Sequence, residues 1–402
     1  MRRRYGYSIG LAVLSAAVLA AYAGAAGADG TPPYKLVTLE GNAEVMKGFV
    51  LEGLGSRLSA DGRRERTGSR FLSAPFEDLI KPDRYSSERN QLIVAHRSFM
   101  RGHRQDDSFY RDGNSVIGAD MDDSLSSVKV RILDLAAGSG SKEFTVPVQT
   151  GAAKADSPLY RDETVVDIQQ IENRIHLLVR GQRDSPDNGP AIWTFTDYIV
   201  DKESGKLLQA EEMYRTVPDP DPYTETTVEL IAEVRELEPS PSVMLNVKTV
   251  KRKGPDADVS EQDPVLKGWR IIGYDYASGD TWDLPEAGMD RIKQGLAPRL
   301  HDGKLYAFNE RNAEPLIHVL DTRTGEPLAE PLQLLRSGSS GLRSIRLEKG
   351  LVYDNLILDR IPTVMVYEEK TRKVIYRGAV ERTDSEAQSV DYQYFQFNYY
   401  GE

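Results

Sequence analysis

The chain has 402 residues, 40% of them apolar and 28% charged, which is too long for one compact core of ordinary shape and too apolar for wholesale disorder. Its formal charge of −11 argues against nucleic acid and against anionic lipid as partners. The absence of cysteine excludes structural disulfides, thiol catalysis, Cys-ligated zinc and lipid attachment through an N-terminal cysteine.

The first residues read as a targeting segment. Arg2, Arg3 and Arg4 precede an Ala-, Val- and Leu-rich run over residues 9–21, and Ala26-Gly27-Ala28 gives an A-x-A ending before Asp29. That order is expected of a secretory signal peptide over residues 1–28. An uncleaved anchor over residues 8–28 is the alternative, since the stretch is just long enough to span a membrane. Cleavage leaves 48 of the 51 basic residues against all 62 acidic ones, a formal charge of −14. The expected location is extracytoplasmic and secreted, with membrane contact only if the segment is retained. An exported chain without disulfides points to a bacterial source. The remainder, residues 31–400, reads as a single domain.

Residues 34–39 and 48–52 predict two short strands. Residues 55–70 form a polar loop rich in Arg, Gly and Ser, and residues 75–80 predict one helical turn. From residue 88 onward two turn signals alternate. In the first, an acidic residue and then Asn or Gly lead into a strand, at Asn90, Asn173, Gly303 and Gly350, with Pro239-Ser-Pro241 as a variant. The second is Asp-x-x-x-Gly, at Asp134 to Gly138, Asp201 to Gly205, Asp275 to Gly279 and Asp321 to Gly325; Glu368 to Arg372 keeps the spacing and loses the glycine. The Asp carboxylate accepts backbone N–H groups two or three residues on, and the Gly is free to take positive φ. Five copies in series are a repeat. Each unit then has strand A, a tight turn, strand B, a variable connection, strand C, the Asp-to-Gly turn and strand D. Extra polar residues fall in the B-to-C connection, at 97–123, 181–190 and 251–267. The aromatic run over residues 391–400 is a hazardous edge unless paired. Pairing it with the early strands completes one more unit.

Four-stranded units in series with Asp-x-x-x-Gly before the last strand resemble β-propeller blades. Val-Leu-Asp321-Thr-Arg-Thr-Gly325 is similar to the turn of pyrroloquinoline-quinone-type bacterial repeats. The resemblance covers residues 85–380 and implies an all-β propeller of six blades, with seven as the alternative, closed by the N- and C-terminal strands. The Trp that usually follows the Gly is absent from all copies but one, where Trp282 is shifted by one residue, so quinone binding is not carried over. No cofactor and no metal site are expected.

Known chemical signatures are missing. Ser337-Gly-Ser-Ser-Gly341 has the wrong spacing for a nucleophile elbow, and phosphate-loop and dinucleotide fingerprints are absent. His176 and His318 lie in strands and read as packing residues. Asp219 to Glu225 superficially resembles a calcium loop but has prolines and no glycine. Asp120, Asp122 and Asp123 read as a solvated acidic loop, with a cation site or carboxylate pair as alternative. Trp193, Trp269 and Trp282 read as core. The expected function is an exported, non-catalytic binding or protein-interaction module working through the insertions on one face. A propeller hydrolase of glycans or lactones, using loop carboxylates near the central channel, is the alternative. The first insertion carries Arg97, Arg101, His103, Arg104, Phe109 and Tyr110, the residue types that most often anchor interfaces. Its basic cluster suits a protein partner or an anionic ligand.

Overall fold

The computed structural model describes residues 34–47, 49–53, 56–59, 70–71, 92–93, 95–101, 108–136, 141–148, 161–183, 190–217, 219–221, 223–231, 237–252, 265–293, 298–309, 315–337, 343–359, 361–382 and 396–399. The expected targeting segment and the helical turn at 75–80 lie outside them. No helix among the described residues is long and apolar enough to cross a membrane. The chain is all-β, a β-propeller whose described residues form six antiparallel sheets. These fall into two compact units, Met1–Ser87 with Ser337–Glu402, and Glu88–Arg336.

The chain starts with β1 (Tyr34–Gly41), β2 (Phe49–Gly53), β3 (Ser56–Ser59) and β4 (Arg70–Phe71). A short helix α1 (Arg97–Met100) leads into the first blade of the second unit: β5 (Ser108–Arg111), β6 (Ser115–Met121), β7 (Ser127–Asp134) and β8 (Ser141–Pro147). The next blade is β9 (Arg161–Ile171), β10 (Arg174–Arg183), β11 (Ile192–Asp201) and β12 (Leu207–Arg215). A third comprises β13 (Thr224–Ile231), β14 (Ser242–Lys251), β15 (Val265–Asp275) and a three-residue β16 (Thr281–Asp283), followed by α2 (Glu286–Ile292). The fourth is β17 (Arg299–His301), β18 (Lys304–Asn309), β19 (Leu316–Asp321) and β20 (Leu332–Gln333). In each, strands pair in chain order. The first unit closes with β21 (Ser344–Glu348), β22 (Leu351–Leu358), β23 (Ile361–Glu368), β24 (Lys373–Arg382) and β25 (Gln396–Tyr399).

The Asp-to-Gly turns form as their chemistry dictates. Asp201, Asp275 and Asp321 each accept backbone N–H groups on Oδ1, from Ser204 at 2.7 Å, from Ala277 and Ser278 at 3.0 Å, and from Thr324 at 2.7 Å. Gly205, Gly279 and Gly325 close the loops at φ of 68°, 74° and 67°. In the fifth copy Arg372 takes the same place at φ 58°.

Central strands read as near-continuous apolar runs because both their faces are covered. Val116, Ile117 and Ala119 on β6 are all fully buried. One cluster joins Ile117, Val130 and Ile132 of the first of these blades to Ile168, Ile175 and Leu177 of the second. Another joins Leu178 and Phe195 to Val243, Leu245 and Tyr274 of the third, and Met244 and Ile271 pack on Leu300 and Leu305 of the fourth. Each such side chain contributes roughly 1.5–3 kcal/mol.

Two expectations are revised. Residues 97–123 are no long connection: they hold α1, β5 and all of β6. The A-to-B turn of this blade is Asp112-Gly-Asn114, where Asp112 Oδ1 accepts the N–H groups of Asn114 and Ser115, and not Asn90. The two N-terminal strands also part company. β2 pairs with β25, Phe49 opposite Tyr399, whereas β1 adds to β24 as a fifth strand, Tyr34 opposite Arg382. Gly41 at φ 84° turns the chain out of β1, and Met46 anchors the crossing among Tyr353, Val366 and Tyr376.

Candidate functional site at the connection end of the blades

In an antiparallel blade the A–B and C–D turns share one end, and the B–C connections lie at the other. In the unit Glu88–Arg336 this second end carries the β6–β7 turn and the connections at 184–191 and 252–264. A cavity of about 230 Å³ opens there, between the β6–β7 turn and the start of β9, lined by Asp120, Asp122, Asp123, Asp162 and Glu163 with Thr164 and Val165. Next to it the Ser108 hydroxyl of β5 donates to the Val165 carbonyl of β9 at 2.6 Å, joining the two blades.

These carboxylates differ in role. Asp122 builds the turn. Its carboxylate accepts from the hydroxyls of Ser124, Ser126 and Ser127 and from the N–H groups of Ser126 and Ser127, at 2.7–3.1 Å. The Ser124 hydroxyl above all holds it well below the usual carboxylate range. Leu125, in the same turn, is in the left-handed region at φ 55°. Asp162 lies 3.7 Å from the Arg180 guanidinium, which also stands over the Trp193 ring at 5.8 Å. Asp120 and Glu163 are half-buried and line the cavity beside the other carboxylates.

Of the six residues singled out from the sequence, Arg97 opens α1 and Arg101 follows its last residue, and both are exposed. His103 and Arg104 lie outside the described residues. Phe109 and Tyr110 are 4% and 3% exposed and belong to the core, because they occupy successive positions of β5 and both faces of that strand are covered. Phe109 packs with Phe99, Val116 and Leu133, and Tyr110 with Ile117. Burial, reinforced by Asp112, pushes the Tyr110 phenol up to about 12. The carboxylates Asp219 and Asp221 close their own turns, and Asp221 is also paired with Lys251 at 2.6 Å. Among the described residues no three His, Asp or Glu side chains group to hold a metal ion. The three tryptophans are half-buried, Trp193 and Trp269 packing against the core clusters, and each has a cation over its ring: Arg180 on Trp193, Lys248 on Trp269 at 4.7 Å, Arg323 on Trp282 at 4.5 Å.

A second polar cluster, not evident from the sequence, is sealed between the β9–β12 and β13–β16 blades. His176 Nδ1 meets Asp197 Oδ2 at 2.7 Å, and the Tyr274 hydroxyl donates to the same oxygen at 2.8 Å. Tyr276 donates to Asp167, which also receives Gln169 Nε2 at 3.1 Å, and Gln169 in turn accepts the Ser240 N–H at 2.8 Å. His176 and Asp197 are 2% and 0% exposed, so a substrate has no access to them. Burial raises the carboxyl of Asp167 above its ordinary range. His176 was expected to be a packing residue, and its ring does lie edge-on to Tyr276 at 5.6 Å. Its hydrogen bond to Asp197 is set by strand register, since the two residues sit on neighbouring strands whose pairing aligns Leu177 with Tyr198.

No family model and no curated protein matches this chain. Among solved structures it is similar to the polysaccharide lyase Uly1, with 10% identity and a TM-score of 0.34 over 69% of this chain and 58% of that one. It therefore spans little more than half of the lyase's length. TolB from Acinetobacter baumannii is similar at 9% identity and a TM-score of 0.22, covering 91% of this chain and 82% of that. An exo-1,5-alpha-L-arabinanase from a bovine ruminal metagenomic library matches at 10% identity and a TM-score of 0.23, covering 73% and 96%.

Proposed function

We propose that the chain is an exported, non-catalytic binding module that meets its partner at the connection end of the Glu88–Arg336 blades. The observation that carries this reading is the 230 Å³ cavity lined by carboxylates at that end, while the opposite end is taken up by tight hydrogen-bonded turns. Connections gathered on one side of a rigid repeat scaffold are where binding usually resides. The buried His176–Asp197 pair serves blade packing, out of reach of a substrate. Arg97 and Arg101 are exposed at the two ends of α1, available for a partner with anionic groups, whereas the cavity suits a cationic one.

The test places a photo-crosslinking amino acid at Asp123, and separately at Ser204 on the opposite end, in the expressing cell. Crosslinks from 123 and not from 204 are expected; the reverse pattern overturns the reading. A second reading, a hydrolase of glycans or lactones, draws on the convergence of Asp120, Asp162 and Glu163 on one cavity. Turnover of nitrophenyl glycosides or lactones that is lost in Asp162→Asn and Glu163→Gln establishes it. Export is checked by N-terminal sequencing of secreted protein, expected to begin at Asp29. A chain retaining Met1 and found only in membranes identifies the segment as an anchor.

A further inference from the structure

β15 spans Val265–Asp275, but its outer neighbour β16 pairs with it only from Ile272 to Tyr274. The N–H of Leu284 reaches one residue further, to the Ile271 carbonyl at 2.8 Å. From Arg270 back to Val265 no described residue pairs with the outer side of the strand. The other long third strands are better covered: β7 pairs with β8 from Ser127 to Leu133, and β11 with β12 from Thr194 to Val200. Backbone groups alternate sides along a strand, and in β15 this runs unbroken from Asp275 down to Gly268, where the pairing with β14 slips between Thr249 and Val250 and leaves Lys267 as a bulge. The Asp275 N–H and the Ile271 carbonyl both bond outward, so Trp269 presents its N–H and C=O outward as well. Gly268 leaves the backbone open, since a Cβ there would meet only Thr249, at 3.9 Å.

We propose that Val265–Arg270 is a docking edge for an extended acidic segment of a partner protein, which adds to the blade as its outer strand. The proposal rests on the reading of the chain as an interaction module and supplies one partner's chemistry. Charge selects the occupant. Lys267 is exposed, the Arg270 side chain is 53% exposed while pairing with Asp283 at 3.9 Å and standing over the Tyr214 ring at 5.6 Å, and Lys248 lies over the Trp269 ring on the adjoining strand. This is a basic strip on a chain of net charge −11. Val265 and Leu266, 52% and 50% exposed, add apolar contact at its start. A second copy would bring Lys267 and Arg270 against their own kind, the arrangement by which edges resist self-pairing.

The experiment uses the secreted chain and a fluorescein-labelled ten-residue peptide of alternating Glu and Val. Saturable binding is expected, weakening as salt is raised. It should fall at least tenfold in the Lys267→Glu/Arg270→Glu variant, and vanish for wild type when every second peptide nitrogen is methylated. Equal binding of the methylated peptide, equal binding of an alternating Lys–Val peptide, or no saturable binding overturns the proposal. So does a concentration-dependent dimer abolished by the double variant, which assigns the edge to a second copy. If the double variant misfolds, the methylated and unmethylated peptides on wild type still decide. Loss of peptide binding with crosslinking at residue 123 intact removes the edge alone; loss of both removes the module reading.

Discussion

Arg372 occupies the turn position that Gly205, Gly279 and Gly325 fill in the described sister turns, with φ 58° and its N–H donated to the Glu368 carbonyl at 2.7 Å. An L-residue there is strained by about 1–2 kcal/mol, against roughly 0.5–1 kcal/mol for the extra freedom of an unfolded glycine. Arg372→Gly should therefore stabilise by on the order of 0.5–1 kcal/mol, read as a rise in Tm or in the urea midpoint. The missing glycine was legible in the sequence; that the backbone keeps the same conformation without it was not. Asp122 gives a pH prediction. Its folded carboxyl titrates below the unfolded one, so its contribution is present above the unfolded value and is lost as pH falls through the folded one. Asp122→Ala should melt below wild type at pH 7, and the gap should narrow steadily on acidification below about pH 4. A gap independent of pH would mean that the hydroxyl and N–H donors do not favour the charged form. Asp122 stood out in the sequence only as one acid among three, because the serines that saturate it are unremarkable residues in any loop.

At the scale of elements, two neighbouring blades are clasped by donors from one and acceptors from the other. Tyr274, Tyr276 and the Ser240 N–H belong to the β13–β16 side; Asp197, Asp167 and Gln169 belong to the β9–β12 side. Leaving a buried hydrogen-bonding group without its partner costs roughly 1–3 kcal/mol. Tyr274→Phe and His176→Ala should each cost an amount in that range, with the loss of the buried ring adding to the second. Their double variant should cost less than the sum of the two, since both bond the same Asp197 oxygen. Strict additivity in chemical denaturation would show that the two bonds are independent. None of this clasp was readable beforehand: His176 and Asp197 stand 21 residues apart and Asp167 and Tyr276 stand 109 apart. Their meeting depends on how two sheets pack. The Asp-to-Gly turns were readable because all their bonds are local. Residues 97–123 were misread for a related reason: Asn90 and Asn114 are both turn signals, and only the pairing of β5 with β6 chooses between them.

At the scale of the molecule, the four-stranded units and the pairing of the chain's two ends followed from repeat spacing and from the hazard of an unpaired aromatic strand. The transfer of β1 to β24 did not, since residues 34–39 are compatible with either neighbour. Truncation after Glu386 removes β25 and bares the outer edge of β2. It should lower thermal stability and promote aggregation; an unchanged melting curve would show that this pairing contributes nothing. The same pairing has a consequence for biosynthesis. The four blades of Glu88–Arg336 contain all of their own strands in one continuous stretch, so they can assemble as soon as that stretch has left the ribosome. β1 and β2 are made first and finish last: Thr38 meets the Tyr376 hydroxyl across 338 residues, and β2 waits for Gln396–Tyr399. In stalled nascent chains, protease protection should reach residues 108–333 while residues 34–53 are still cleaved, and only release of the full chain should protect them.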